Sequence, residues 1–109
     1  MRYLILLWGD PEGEATLPAD ERRRIVDEHM QLSGRLRERG QLVAGEPLEA
    51  GGKVVRSGLV TDGPFVETKE QLGGFYVVDV ESEEQALAIA QDVPASPGLV
   101  AEVRRIPDV

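Results

Sequence analysis

The chain contains no cysteine. Disulfide staples and thiolate metal sites are therefore excluded, and the absence suits a reducing compartment. Histidine is cut down to a single residue, His29. One histidine among scattered carboxylates has no metal-ligand spacing, so no metal is expected, and no other cofactor. Positive charge is also scarce. Against 20 Asp and Glu stand 12 Lys and Arg, a formal charge of −8. An acidic surface of this kind repels both the phosphate backbone of nucleic acids and an anionic membrane surface. Long apolar runs are missing as well. The stretch from Tyr3 to Trp8 is followed at once by Gly9-Asp10-Pro11-Glu12. It is too short for a signal peptide or a membrane span and reads as a buried strand, which leads to the expectation of a cytoplasmic protein. No Ser-His-Asp arrangement, phosphate loop or dinucleotide fingerprint occurs, since Gly51-Gly52 and Gly73-Gly74 are isolated pairs.

What is present fits one domain over residues 1–109, long enough to bury a core without staples. Residues 2–9 predict a strand with Tyr3, Ile5 and Leu7 on one face and Leu4, Leu6 and Trp8 on the other. Residues 10–17 read as a polar loop. A helix is predicted from Pro18 to Arg39. Asp20 and Glu21 suit its positive end, Arg35, Arg37 and Arg39 its negative end, and Gly40 its stop. Ile25, His29, Leu32 and Leu36 share one face of that helix, so His29 lies within an apolar stripe.

Short strands are predicted over 41–46 and 53–61, with a loop at 47–52 between them. Asp62-Gly63-Pro64 is turn chemistry, with Phe65 as a core anchor behind it. Phe75 to Val80 is the clearest central strand. Ser82 caps a second helix, with Gln85 as its reciprocal partner and Ala86, Leu87, Ile89 and Ala90 on the buried side. Pro94 and Pro97 stop it, and Leu99 to Ile106 is the last strand.

The order is β-α-β-β-α-β with an elaborated middle, the ferredoxin-like pattern of an α+β fold. Its antiparallel sheet carries helices on one face only. The first and central strands are apolar on both faces, so a second subunit is expected over the bare face. Two such sheets packed together make a dimeric α/β barrel.

The run from Thr61 to Tyr76, Thr-Asp-Gly-Pro-Phe-Val-Glu-Thr-Lys-Glu-Gln-Leu-Gly-Gly-Phe-Tyr, resembles the defining motif of the DGPF branch of the YCII-related family. Gly40 to Glu46, Ala95 to Gly98 and Glu102-Val103-Arg104 resemble further family features, although Arg105 stands where a proline is usual. The resemblance covers essentially the whole chain. It implies a ferredoxin-like dimeric α/β barrel, and bacterial proteins of unassigned function, some of them linked to extracytoplasmic-function sigma factors. The related YciI branch carries a first-helix histidine that works with an aspartate in an active-site cleft. His29, with ten residues between it and Gly40, resembles that spacing. No motif places the aspartate here, and the strand after the helix offers Glu46 instead.

Two readings of the candidate residues follow. In one, His29 is a general acid or base, oriented by Asp62 as first choice or Glu46 as second. Glu67, Lys69, Glu70 and Arg104 then form a polar pocket, with Lys69 meeting an anionic group of a small ligand. In the other, His29 is a packed residue with one satisfied nitrogen, the charged run is a solvated edge, and the protein is a regulatory or interaction module. Arg104 is equally a surface ion-pair residue.

Overall fold

A computed structural model describes residues 1–109. It contains β1 (Arg2–Gly9), α1 (Pro11–Ala15), α2 (Ala19–Glu38), β2 (Leu42–Pro47), β3 (Lys53–Arg56), β4 (Leu59–Asp62), β5 (Gln71–Asp79), α3 (Glu83–Gln91) and β6 (Val100–Ile106). Four strands form one antiparallel sheet in the order β2-β5-β1-β6. The expected α+β architecture is therefore present.

The register explains the layering. Tyr3 pairs with Val78 and Ile5 with Tyr76, which puts all four on the same face. These residues are buried with Leu32 and Leu36 of α2 and Ala86 and Ile89 of α3. On the opposite face Leu4 pairs with Val77 and Leu6 with Phe75. No helix covers that face, so its apolar residues remain partly exposed. The molecule is only 17 Å thick along its shortest axis, the depth of one sheet and one helix layer.

Several boundaries differ from the sequence reading, each for a local reason. The loop expected at 10–17 contains the short helix α1, because Pro11 is preset for a first turn and Glu12 and Glu14 favour its positive end. The strand expected over 53–61 is a hairpin. Ser57 and Gly58 both adopt positive φ, at 50° and 81°, and so make the two-residue turn that matches strand twist. Phe65 is not a core anchor. It is 68 % exposed and lies under the Arg56 guanidinium, 5.3 Å from the ring centre. Leu87 is exposed rather than buried, since only Ala86 and Ile89 of α3 are fully buried against the sheet. Ser82 does cap α3, its oxygen accepting from the Gln85 N–H at 3.2 Å. The Gln85 side chain reaches back to the Glu81 N–H rather than to Ser82.

Candidate functional site

A cleft of about 400 Å³ opens between α2 and the edge strand β2. Five of its lining residues, Val26, His29, Met30, Ser33 and Arg37, recur at helical spacing along one stripe of α2. That stripe lies beside the core stripe of Leu32 and Leu36 rather than on it. The opposite wall is Gly45, Glu46 and Pro47 of β2, with Gly73, Phe75 and Tyr76 of β5.

The centre of the cleft is a pair of rings. His29 Nδ1 lies 2.6 Å from the Tyr76 hydroxyl, and the rings stack at 20° with centroids 5.9 Å apart. Burial pushes His29 below the ordinary 6.5, and the nearby Glu28 carboxylate pulls weakly the other way. Burial also raises the Tyr76 phenol above 10.0, partly offset by the Ser33 hydroxyl beside it. At neutral pH the pair is thus a neutral imidazole bonded to a neutral phenol. Either the phenol O–H donates to a bare Nδ1, or Nδ1–H donates to the phenol oxygen, according to the imidazole tautomer; the neutral ring has one donor and one acceptor to divide between Tyr76 and the cleft.

Gly45 makes room for this arrangement. A Cβ at that position would come within 2.9 Å of the Tyr76 ring. Gly74 on the neighbouring strand lets the β2 backbone approach, since a Cβ there would meet the Glu46 carbonyl at 3.1 Å. The sheet is irregular nearby. The register between β1 and β5 shifts at Leu7/Trp8, leaving Gly73 without a partner on β1, and that residue lines the cleft.

The residues singled out in the sequence are dispersed. His29 and Glu46 line the same cleft. Asp62 is not joined to His29; it pairs with Lys53 across the β3–β4 hairpin and is largely exposed. Lys69 pairs with Asp10 at 3.6 Å, at the end of β1. Glu67 and Glu70 are exposed and form no ion pair. Arg104 lies on β6 opposite Leu4, on the sheet face away from the helices, and does not line the cleft. No group of three or more His, Cys, Asp or Glu side chains is placed to hold a metal ion.

Tyr76 is the residue that sequence reading missed. Its alternation with Phe75 marks it as a strand residue, and nothing local distinguishes it from a core aromatic. The nearest signal is Gly45 in a strand-forming run, which announces close approach of a neighbour.

Comparison of the sequence with known proteins shows its family. The YCII-related domain matches residues 1–107. The chain belongs to the YCII-related family. A relative in Rhizobium meliloti (strain 1021), an uncharacterized protein, is 34 % identical over 99 residues, covering 85 % of this chain and 80 % of that protein. Membership accounts for the sequence resemblance along the whole chain, and it assigns no reaction to this YCII-related protein. No helix is long and apolar enough to cross a membrane.

Proposed function

We propose that this YCII-related protein binds a small polar or anionic molecule in the α2–β2 cleft and transfers a proton to or from it through His29. The observation that carries this reading is the His29–Tyr76 hydrogen bond inside a cleft of about 400 Å³. A neutral imidazole is the form able to take a proton near pH 7, and Tyr76 does for its orientation what a carboxylate does in a His–Asp pair. Because the phenol is uncharged, it holds the ring without raising its basicity as a carboxylate would. Arg37 supplies a guanidinium for an anionic group, Glu46 an acceptor, and Val26, Met30 and Phe75 an apolar wall.

The same proposal includes a homodimer of ferredoxin-like subunits forming an α/β barrel. Support comes from the strand order β2-β5-β1-β6 and from the apolar sheet face bearing Leu4, Leu6, Trp8, Phe75 and Val77 without a covering layer. A cytoplasmic location agrees with the absence of cysteine.

The test is a fragment titration followed on the His29 imidazole resonances. Binders are expected to shift them in the wild type and to lose affinity in His29→Asn and Tyr76→Phe. Binders that leave the imidazole unmoved would sink the assignment.

A second reading, a regulatory or interaction protein with a sigma-factor partner suggested by family resemblance, is favoured by one feature. The β3–β4 hairpin exposes Val55, Leu59 and Val60, with Phe65 just beyond it. Co-purification of a partner with the wild type, abolished by Leu59→Ser with the fold intact, would support it.

A further inference from the structure

The arginines of α2 are not alike. Arg24 has an acid at each neighbouring position of the helix surface, with Asp20 and Glu21 before it and Asp27 and Glu28 after it. It pairs with Glu21 and Glu28. At the same spacings Arg37 has Ser33, Gly34, Gly40 and Gln41, and it forms no salt bridge. In a chain with 20 Asp and Glu against 12 Lys and Arg, a guanidinium without a carboxylate is an unused anion receptor. Arg35 and Arg39 also stand near the negative end of the helix, but Arg37 alone of the three lines the cleft.

The start of the same stripe has the opposite character. Val26 and Met30, one turn apart, are 56 % and 68 % exposed, and both line the cleft. They form an apolar lip open to water, and Met30 is unbranched enough to adapt to whatever lies on it. Between this lip and Arg37 stand the hydrogen-bonding groups His29, Tyr76 and Ser33. At about 1.5 Å per residue the stripe from Val26 to Arg37 is roughly 16 Å long. Helical side chains lean toward the N-terminus, which brings the guanidinium back toward the rings. The cleft therefore changes along its length from apolar to hydrogen-bonding to cationic. Glu46 is the one acid in its lining. Gly45 is the β2 residue that faces Tyr76, so by alternation the Glu46 side chain starts from the opposite face of the strand.

Resting on the reading of this cleft as the binding site, we propose that its ligand is an amphipathic monocarboxylate. The carboxylate head lies on Arg37, the aliphatic tail on Val26 and Met30, and the stretch between them is presented to His29. No second cation lines the cleft, so one negative charge is matched and a phosphate dianion is not. The negative end of the α2 dipole opposes an anion there by up to about fivefold. Charge-assisted hydrogen bonds from the guanidinium favour it by roughly tenfold or more, so the attraction wins.

The experiment is a titration of the whole protein near neutral pH with butanoate, hexanoate, octanoate, hexanol and hexylamine, followed by nuclear magnetic resonance. The amide resonances of Gly45 and Gly73 report occupancy of the cleft, and the His29 imidazole is read separately. Affinity is expected to rise about twofold per added methylene, below the roughly fourfold of full burial because the lip is open. Hexanol and hexylamine are expected to bind roughly tenfold weaker than hexanoate. Arg37→Gln removes the preference for the charged head and keeps the dependence on tail length, and Arg37→Lys restores part of that preference. Met30→Gln flattens the dependence on tail length and keeps the preference for the head. Both positions are exposed on a helix, so the variants keep the fold. Hexanoate that follows both rules while the imidazole stays unmoved leaves the ligand class standing and removes the proton transfer. Hexanol, hexylamine and hexanoate that move the imidazole with equal affinity leave the proton transfer standing and overturn the amphipath. Affinity independent of tail length, or no binding of hexanoate at millimolar concentration, overturns it as well.

Discussion

His29 is held against Tyr76, and this has a consequence in solution. Its folded value lies below 6.5 because burial penalises the charged ring. Protonation therefore opposes folding: the contribution to stability is intact above pH 6.5 and is lost as the pH falls through the folded value. Nuclear magnetic resonance titration should give a His29 midpoint below 6.5, and His29→Gln should flatten the stability decline in that window. Tyr76→Phe strands Nδ1 and should cost about 1 kcal/mol by denaturant titration. Glu14 behaves in the opposite sense. Burial first, and then the Asp10 charge, raise its value above that of an ordinary glutamate, so its ionised form opposes the fold. The penalty is absent below the ordinary glutamate range and grows as the pH rises toward the raised value, levelling off above it. Glu14→Gln should stabilise the protein at pH 7, by less than about 1 kcal/mol for a site that is partly solvated, and should have no effect in acid. Equal gains at both pH values would contradict this.

Among elements, the strands and helices were largely legible because their patterns are strong. The α2 stripe ending in Gly40, the Ser82 cap and the run Phe75 to Val80 all lie where local rules put them. The hairpin was legible in principle, since Ser57-Gly58 is a turn dipeptide between apolar strand residues, yet its flanks read equally well as one continuous strand. Ser57 at φ 50° is strained for a residue with a Cβ. Ser57→Gly is expected to be neutral or stabilising, and Gly58→Ala, at φ 81°, to cost about 1 kcal/mol, both measurable by thermal unfolding. Gly45 belongs to the site as much as to β2. Its replacement by Ala drives a methyl into the Tyr76 ring, so Gly45→Ala should cost about 1–3 kcal/mol and shift the His29 resonances. A harmless Gly45→Ala would mean that the ring is free to move.

For the whole molecule, the radius of gyration is 15.1 Å, against about 13 Å for a compact domain of this length. The difference comes from a flat two-layer body and a hairpin that packs mainly on itself. The proposed second subunit would complete the missing third layer. Leu6→Glu, at the centre of the bare face, is then expected to convert a dimer into a monomer in gel filtration with the secondary structure retained. A wild type that already runs as a monomer at micromolar concentration would remove the barrel.

The amino-acid order by itself determined the family, the α+β class, the layering of the sheet and the place of His29 on the first long helix, though not on the stripe beside the core where it lies. Those properties follow from periodicity and from a contiguous motif, and both are local. What only the tertiary structure decided was pairing. His29 meets Tyr76, Asp62 meets Lys53, and Lys69 meets Asp10. The residues of the first and last of these pairs lie far apart along the chain, and which ones meet depends on strand order, on bulges and on where a glycine leaves space. A carboxylate in the sequence states its charge but not its neighbour. The absent cysteine and the single histidine, visible from the first, narrowed the chemistry; the stacked phenol in the cleft gave that histidine its partner.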